Sequence, residues 1–172
     1  MTIFAHLIST EYSLSEGYGK VSDYIKELKK QSIESGEENP SLIIADKFSM
    51  SAHIPFYKEC MKEGIKPVFG LKVTIQGNDG GINHDLILVA KDEVGRQNIN
   101  KLTTLSYQIT VDKGYKLITQ DQLEEHTDGL ICLSGGYKNG LIEKSILKGD
   151  REKAIGLVKH LTDIYDGDFY LN

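Results

Sequence analysis

Leu42-Ile-Ile-Ala45, set between Ser41 and Asp46, is an apolar run with no polar alternation. A strand reads this way when both of its faces are covered, as in a parallel sheet packed by helices. Before it, the polar stretch Ser35-Gly-Glu-Glu-Asn-Pro40 ends a helix whose N-cap is expected at Ser22 and whose Val21, Tyr24, Ile25 and Leu28 share one face. After it, a helix is expected over residues 52–63, with Pro55 near its first turn and Gly64 as its stop. A second strand follows over 68–75.

The same alternation extends outward in both directions. Residues 3–8 read as a strand leading into a turn-rich stretch over 10–19. Gly77-Asn-Asp-Gly-Gly81 reads as a hairpin connection to a returning strand over 85–90. Asp92 is placed to cap a helix running through about Tyr107, and 129–134 is another buried strand, ending in Gly135-Gly136. Asp150 caps a last helix with Ala154, Leu157, Val158, Leu161 and Tyr165 at helical spacing, before a final strand at Phe169-Tyr170-Leu171. Strands separated by amphipathic helices predict an α/β fold, an incomplete β/α barrel with mostly parallel strands and helices outside. No repeat, low-complexity tract or linker interrupts the chain, so a single domain is expected over 1–172.

Composition narrows the function classes. With 172 residues, 40% apolar and 26% charged, the chain has an ordinary globular make-up. Lys and Arg number 20 against 25 for Asp and Glu, a net charge of −5. That balance disfavours a stand-alone nucleic-acid binder, whose affinity comes largely from cations on phosphates. No apolar run is long enough to span a bilayer, and the start lacks the basic and apolar regions of a secretion signal, so a cytoplasmic location is expected. Cys60 and Cys132 form no CxxC pattern and are read as reduced core thiols rather than zinc ligands or nucleophiles.

The candidate chemical groups are sparse. Histidines 6, 53, 84, 126 and 160 show no HxH, HxxxH or HExxH spacing and are read as surface or hydrogen-bonded core residues. Ser134-Gly135-Gly136 ends a strand ahead of a helical segment, where amides can cradle phosphate, but without a Walker lysine or GxGxxG the simpler reading is a tight turn. Lys26, Lys29 and Lys30 are interleaved with Glu27 and read as a solvated helix face.

Several stretches, in order along the chain, resemble one family. They are Phe4-Ala-His-Leu-Ile-Ser-Thr-Glu-Tyr-Ser-Leu-Ser-Glu-Gly17, Ile43-Ile-Ala-Asp-Lys47, and Phe56-Tyr57 with Gly64-Ile-Lys-Pro-Val-Phe-Gly70. Gly95-Arg-Gln-Asn98 and Asp128-Gly-Leu-Ile-Cys-Leu-Ser-Gly-Gly136 continue the series. Together they are similar to the PHP (polymerase and histidinol phosphatase) domain of bacterial replicative DNA polymerase III alpha subunits. The resemblance implies a PHP-type distorted β/α barrel, here its N-terminal part, within a much longer polymerase chain. A barrel cut before its last units leaves an unpaired strand edge near 169–172, an association hazard.

Metal-binding members of that family hold metal ions at strand ends to activate water for phosphoester hydrolysis. Aligned on Tyr12-Ser13 and Gly17, the first-motif histidines fall at Ala5, Leu7 and Ser9, with His6 one position out of phase. The histidine of the second motif is Lys47, the acidic residue of the third is Lys72, and a later ligand histidine falls at Asp85, beside His84. Two ammonium groups repel divalent cations and offer no lone pair. The resemblance therefore implies a degenerate metal site and no cofactor in this segment, with magnesium confined to the polymerase site of the parent chain. Asp46 is the retained carboxylate. It is read either as an ion-pair partner for Lys47 and Lys72 or, more simply, as a strand-end cap on a local turn.

Three functions compete on these grounds. The first is a non-catalytic structural and interaction domain that supports the other domains of the alpha chain and docks the epsilon proofreading exonuclease, meeting DNA only through the holoenzyme. The second is a metal-dependent PHP phosphoesterase or exonuclease with a residual site built from His6, Asp46, His84 and Asp85. The third, disfavoured by charge, is a stand-alone nucleic-acid-binding protein.

Overall fold

The computed structural model describes residues 5–13, 17–77, 83–108 and 116–172. The tip of the expected hairpin, residues 78–82, lies outside them, as do residues 3–4 of the expected first strand and residues 14–16 of the turn that follows it. The chain divides into two compact units, Met1–Leu71 and Lys72–Asn172.

The first unit contains β1 (Ala5–Ile8), α1 (Val21–Ser35), β2 (Ser41–Ile44), α2 (His53–Glu63) and the first part of β3 (Lys66–Ile75). β1 pairs parallel with β2, setting His6 beside Leu42 and Ile8 beside Ile44, and β2 pairs parallel with β3, setting Ile44 beside Phe69. The helices cover the face that carries Ile8, Leu42 and Ile44. Ile25 and Leu28 from α1 meet Phe56 and Cys60 from α2 in that core, all between 0% and 4% exposed.

Two helix ends show how local and tertiary forces divide the work. At the end of α2, Gly64 adopts a left-handed φ of 71°, and the N–H groups of Gly64 and Ile65 both reach the Cys60 carbonyl. Buried Ile65 then locks the turn against the core. The start of α1 departs from expectation: the helix begins at Val21 after an N-cap at Lys20, which makes no side-chain cap bond, and not after Ser22. Val21 is 6% exposed, so packing of its side chain draws the first turn back beyond the residue with the better capping chemistry.

The second unit contains the end of β3, then β4 (His84–Ala90), α3 (Glu93–Ser106), α4 (Gln120–Glu124) and β5 (Leu130–Ser134). It closes with α5 (Gly136–Asn139), α6 (Leu141–Leu147), α7 (Arg151–Ile164) and β6 (Phe169–Tyr170). Strands stand side by side in chain order, β3-β4-β5-β6. β5 and β6 are parallel, whereas β4 and β5 are antiparallel with Leu86 opposite Ser134 and Leu88 opposite Cys132. Mostly parallel pairing therefore holds, with β4 reversed as a returning strand must be.

Asp92 and Asp150 cap α3 and α7 as expected, accepting from the N–H groups of Gly95 and Lys153. Residues 108–128 carried no expected element, yet Thr119 and Gln122 form a reciprocal capping box that starts α4. At the junction of α3 and β5 two glycines meet. Gly129 has φ 70°, and an added Cβ would lie 2.4 Å from the Gly95 nitrogen and the Asp92 carboxylate.

Gly36, at the end of α1, has the same left-handed conformation, with nothing within 4 Å of where an added Cβ would lie. The two sites separate backbone strain from collision. Gly36→Ala should cost about 1 kcal/mol in denaturant unfolding. Gly129→Ala should cost about 2 kcal/mol more, because the Asp92 cap and the α3 start must also shift.

Candidate functional site

In the first unit the strand ends are tied by side chains. Asp46, just past β2, is 0% exposed. One of its oxygens accepts the Thr10 N–H at 2.6 Å and the other accepts the Thr10 hydroxyl at 2.7 Å. The Lys47 N–H donates to the Ser13 hydroxyl at 2.7 Å, and the Ser9 hydroxyl donates to the Ala45 carbonyl at 3.1 Å. The segments after β1 and β2 are thus laced together, with Asp46 holding Thr10, 36 residues away, rather than a turn of its own segment.

The register also settles which way the first motif points. His6 shares its row with buried Leu42 and Leu7 shares its row with Ile43, so these two lie on opposite faces of the sheet. His6 is exposed, Leu7 and Ser9 are half-buried, and Ala5 opens β1 beside Ser41. The chemistry available at the three aligned positions, 5, 7 and 9, is two aliphatic side chains and a hydroxyl.

The second unit holds a buried charge cluster that joins two other aligned positions. Asp85 on β4 is 1% exposed. Lys72 Nζ stands 3.6 Å from Asp85 Oδ2, which also accepts Asn139 Nδ2 at 3.1 Å. Thr74 Oγ1 donates to Asp85 Oδ1 at 2.7 Å. Lys72 and Thr74 are two apart on β3 and so share a face. Lys72, one of the two lysines considered as a partner for Asp46, forms an ion pair with Asp85, and the family resemblance aligns both positions with metal ligands.

That donor set does not suit a divalent cation. Both oxygens of Asp85 are taken by donors, and the ammonium adds like charge where a metal would sit. His84, its neighbour on β4, points to the opposite face, where it lines a cavity of about 300 Å³ with Leu86, Ser134, Glu143 and His160. His84 and Asp85 therefore do not join in one residual site. Among the described residues, no group of three or more histidine, cysteine or carboxylate side chains is placed to hold a metal ion.

The remaining candidates take structural places. The Ser134 hydroxyl donates to Glu143 at 2.6 Å and accepts the Asn172 N–H at 3.0 Å, and a carboxylate so close repels phosphate. An added Cβ at Gly135 would fall 1.9 Å from the Asp85 carbonyl, so this is a tight turn against β4. Lys29 donates to the Glu63 carbonyl at 2.7 Å, placing its charge at the C-terminal end of α2, where the helix dipole favours it. His53 contacts the Gly70 carbonyl at 3.2 Å and packs at a tilt against Phe69, while His126 reaches the Gln122 carbonyl at 2.8 Å. Sequence reasoning missed Thr10, Thr74 and Asn139, none of which carries a local signal for its carboxylate partner.

The model of the PHP domain matches residues 5–172. The chain belongs to the PHP domain family. DNA polymerase III subunit alpha of Borreliella burgdorferi is 34% identical over 181 residues, covering 98% of this chain and 15% of that protein. The Vibrio cholerae subunit of the same name is 28% identical, covering 98% of this chain and 14% of its own length. An amidohydrolase structure from Chromobacterium violaceum covers 58% of this chain and 32% of its own, at 13% identity and a TM-score of 0.38. This PHP chain thus spans about one-seventh of the polymerase subunits it matches. None of its described helices is long and apolar enough to cross a membrane.

Two measurements check this geometry. Lys72→Met takes the ammonium away from Asp85 while Thr74 and Asn139 still donate to it, and unfolding should become easier by about 1–3 kcal/mol. A change under about 0.5 kcal/mol would mean that the pair is not structural. Burial pushes the Cys60 and Cys132 thiols up to about 12. Neither should react with iodoacetamide at pH 8 in the native protein, and both should react in denaturant. Unfolded thiols ionise near 9, so their protonated burial contributes stability below that pH. This contribution should fall away as pH rises from there toward 12.

Proposed function

We propose that this PHP domain works as a non-catalytic structural and interaction module of a DNA polymerase III alpha subunit. The observation that supports this most directly is the Lys72–Asp85 pair with its Thr74 and Asn139 donors. Two positions that the family resemblance assigns to metal ligands instead cross-link β3, β4 and α5. Asp46 is used in the same way by Thr10.

On this reading the segment needs no cofactor, and the nucleotidyl transfer of the parent polymerase takes place at a magnesium site elsewhere in that longer chain. The domain serves the other domains of the alpha subunit as a scaffold and docks the epsilon proofreading exonuclease. DNA reaches it through the assembly, in keeping with its net charge of −5.

The test is a metal analysis of the purified chain together with hydrolysis of bis-p-nitrophenyl phosphate in manganese and in zinc. Substoichiometric metal and background hydrolysis are expected. Chelator-sensitive hydrolysis by the unmodified chain would instead establish the phosphoesterase reading. The combined variant Ala5→His, Leu7→His, Lys47→His and Lys72→Glu should raise zinc affinity, since it returns ligands to the aligned positions and removes two cations.

A further inference from the structure

Packing and charge each fix one residue at the turn between α5 and α6. Gly140 is buried there, and its N–H donates to the Gly136 carbonyl at 2.8 Å. A Cβ on residue 140 would fall 2.8 Å from that carbonyl oxygen and 1.8 Å from Glu143 Oε2, so any larger residue must push the backbone aside. Asn139 answers a different demand. Its Nδ2 gives buried Asp85 a neutral donor at 3.1 Å, where an aspartate of the same size would set a second negative charge. Two separate requirements thus place Asn directly before Gly, the single Asn-Gly pair in the sequence.

That pair is chemically labile, because asparagine is thermolabile and glycine lets its own backbone nitrogen approach the preceding side-chain amide. The Gly140 nitrogen, giving up its proton to hydroxide, bonds to Asn139 Cγ. The Cγ–Nδ2 bond breaks, and Nδ2 takes a proton from water and leaves as ammonia. Water then opens the succinimide ring at either carbonyl, which leaves aspartate or isoaspartate. In the folded chain both reacting groups are held: the nitrogen by its bond to Gly136 and the amide by its bond to Asp85.

We propose that Asn139–Gly140 is a site of spontaneous deamidation that the Asp85 cluster guards while the chain is folded. The reaction, once it occurs, dismantles its own guard. Either product removes the donor and faces Asp85 with a carboxylate, and isoaspartate also lengthens the backbone between Gly136 and Gly140. The proposal does not rest on the scaffold reading, so metal content and phosphodiester hydrolysis do not bear on it.

The test incubates the native 172-residue chain, the same chain in urea, and Asp85→Ala at mildly alkaline pH. The peptide holding Asn139 is followed by mass spectrometry, with enzymatic methylation of isoaspartate as a second readout. Deamidation in urea should run at least about tenfold faster than in the native chain, since the native rate carries the free energy of local opening. Asp85→Ala, its fold verified by circular dichroism, should close most of that gap. Should that variant fail to fold, hydrogen exchange of the Gly140 amide in the native chain decides, with slowing by at least about tenfold expected. Asn139→Asp, one of the two products, should unfold at lower urea than the parent chain. Native and urea rates within about twofold of each other would overturn the proposal. So would an Asn139 that stays intact in urea, a folded Asp85→Ala no faster than the native chain, an unprotected Gly140 amide, or an unchanged midpoint for Asn139→Asp.

Discussion

A carboxylate taken out of water must be met by hydrogen-bond donors or opposite charge, and Asp46 and Asp85 are buried at strand ends. The two are 0% and 1% exposed. Each sets the course of the backbone around it. Asp46 holds Thr10 by both its N–H and its hydroxyl, which fixes the path leaving β1 against the path leaving β2. Asp85 gathers Lys72, Thr74 and Asn139, which ties neighbouring strands and anchors the short α5 that follows β5. A four-residue helix has little stability of its own, so this anchor matters for where α6 and α7 begin.

Saturation of those carboxylates also decides what the strand ends can do. A ligand set for a divalent ion needs oxygens with free lone pairs facing a common point and no cation among them. Here the donors come from the chain itself. The carboxylate oxygens at these strand ends hold loops and a helix in place. The packing elsewhere is of the same kind: Gly95 meets Gly129, and Gly135 meets the Asp85 carbonyl, at distances that leave no room for a Cβ.

Much of the architecture was legible before the structure. Strands covered on both faces betray themselves as apolar runs, and caps such as Asp92, Asp150 and Gly64 act through bonds to residues three or four positions away. Where reading failed, the deciding force was not local. α1 begins at Val21 because that side chain is buried, although Ser22 has the better capping chemistry. α4 is only five residues long, too short for periodicity to reveal, and only the Thr119 and Gln122 pair marks it.

The sequence by itself determined the alternation of strands and helices, the family, and the burial of both cysteines. The alternation and the thiol burial follow from composition and spacing, and the family from motifs met in order along the chain. Tertiary structure alone decided that Lys72 and Asp85 form one pair, that Thr74 and Asn139 complete it, and that His84 turns to the opposite face. Strand pairing brings distant residues to the same row, and the pleat then sends adjacent side chains apart, so neither partnership nor direction can be read until the register is known.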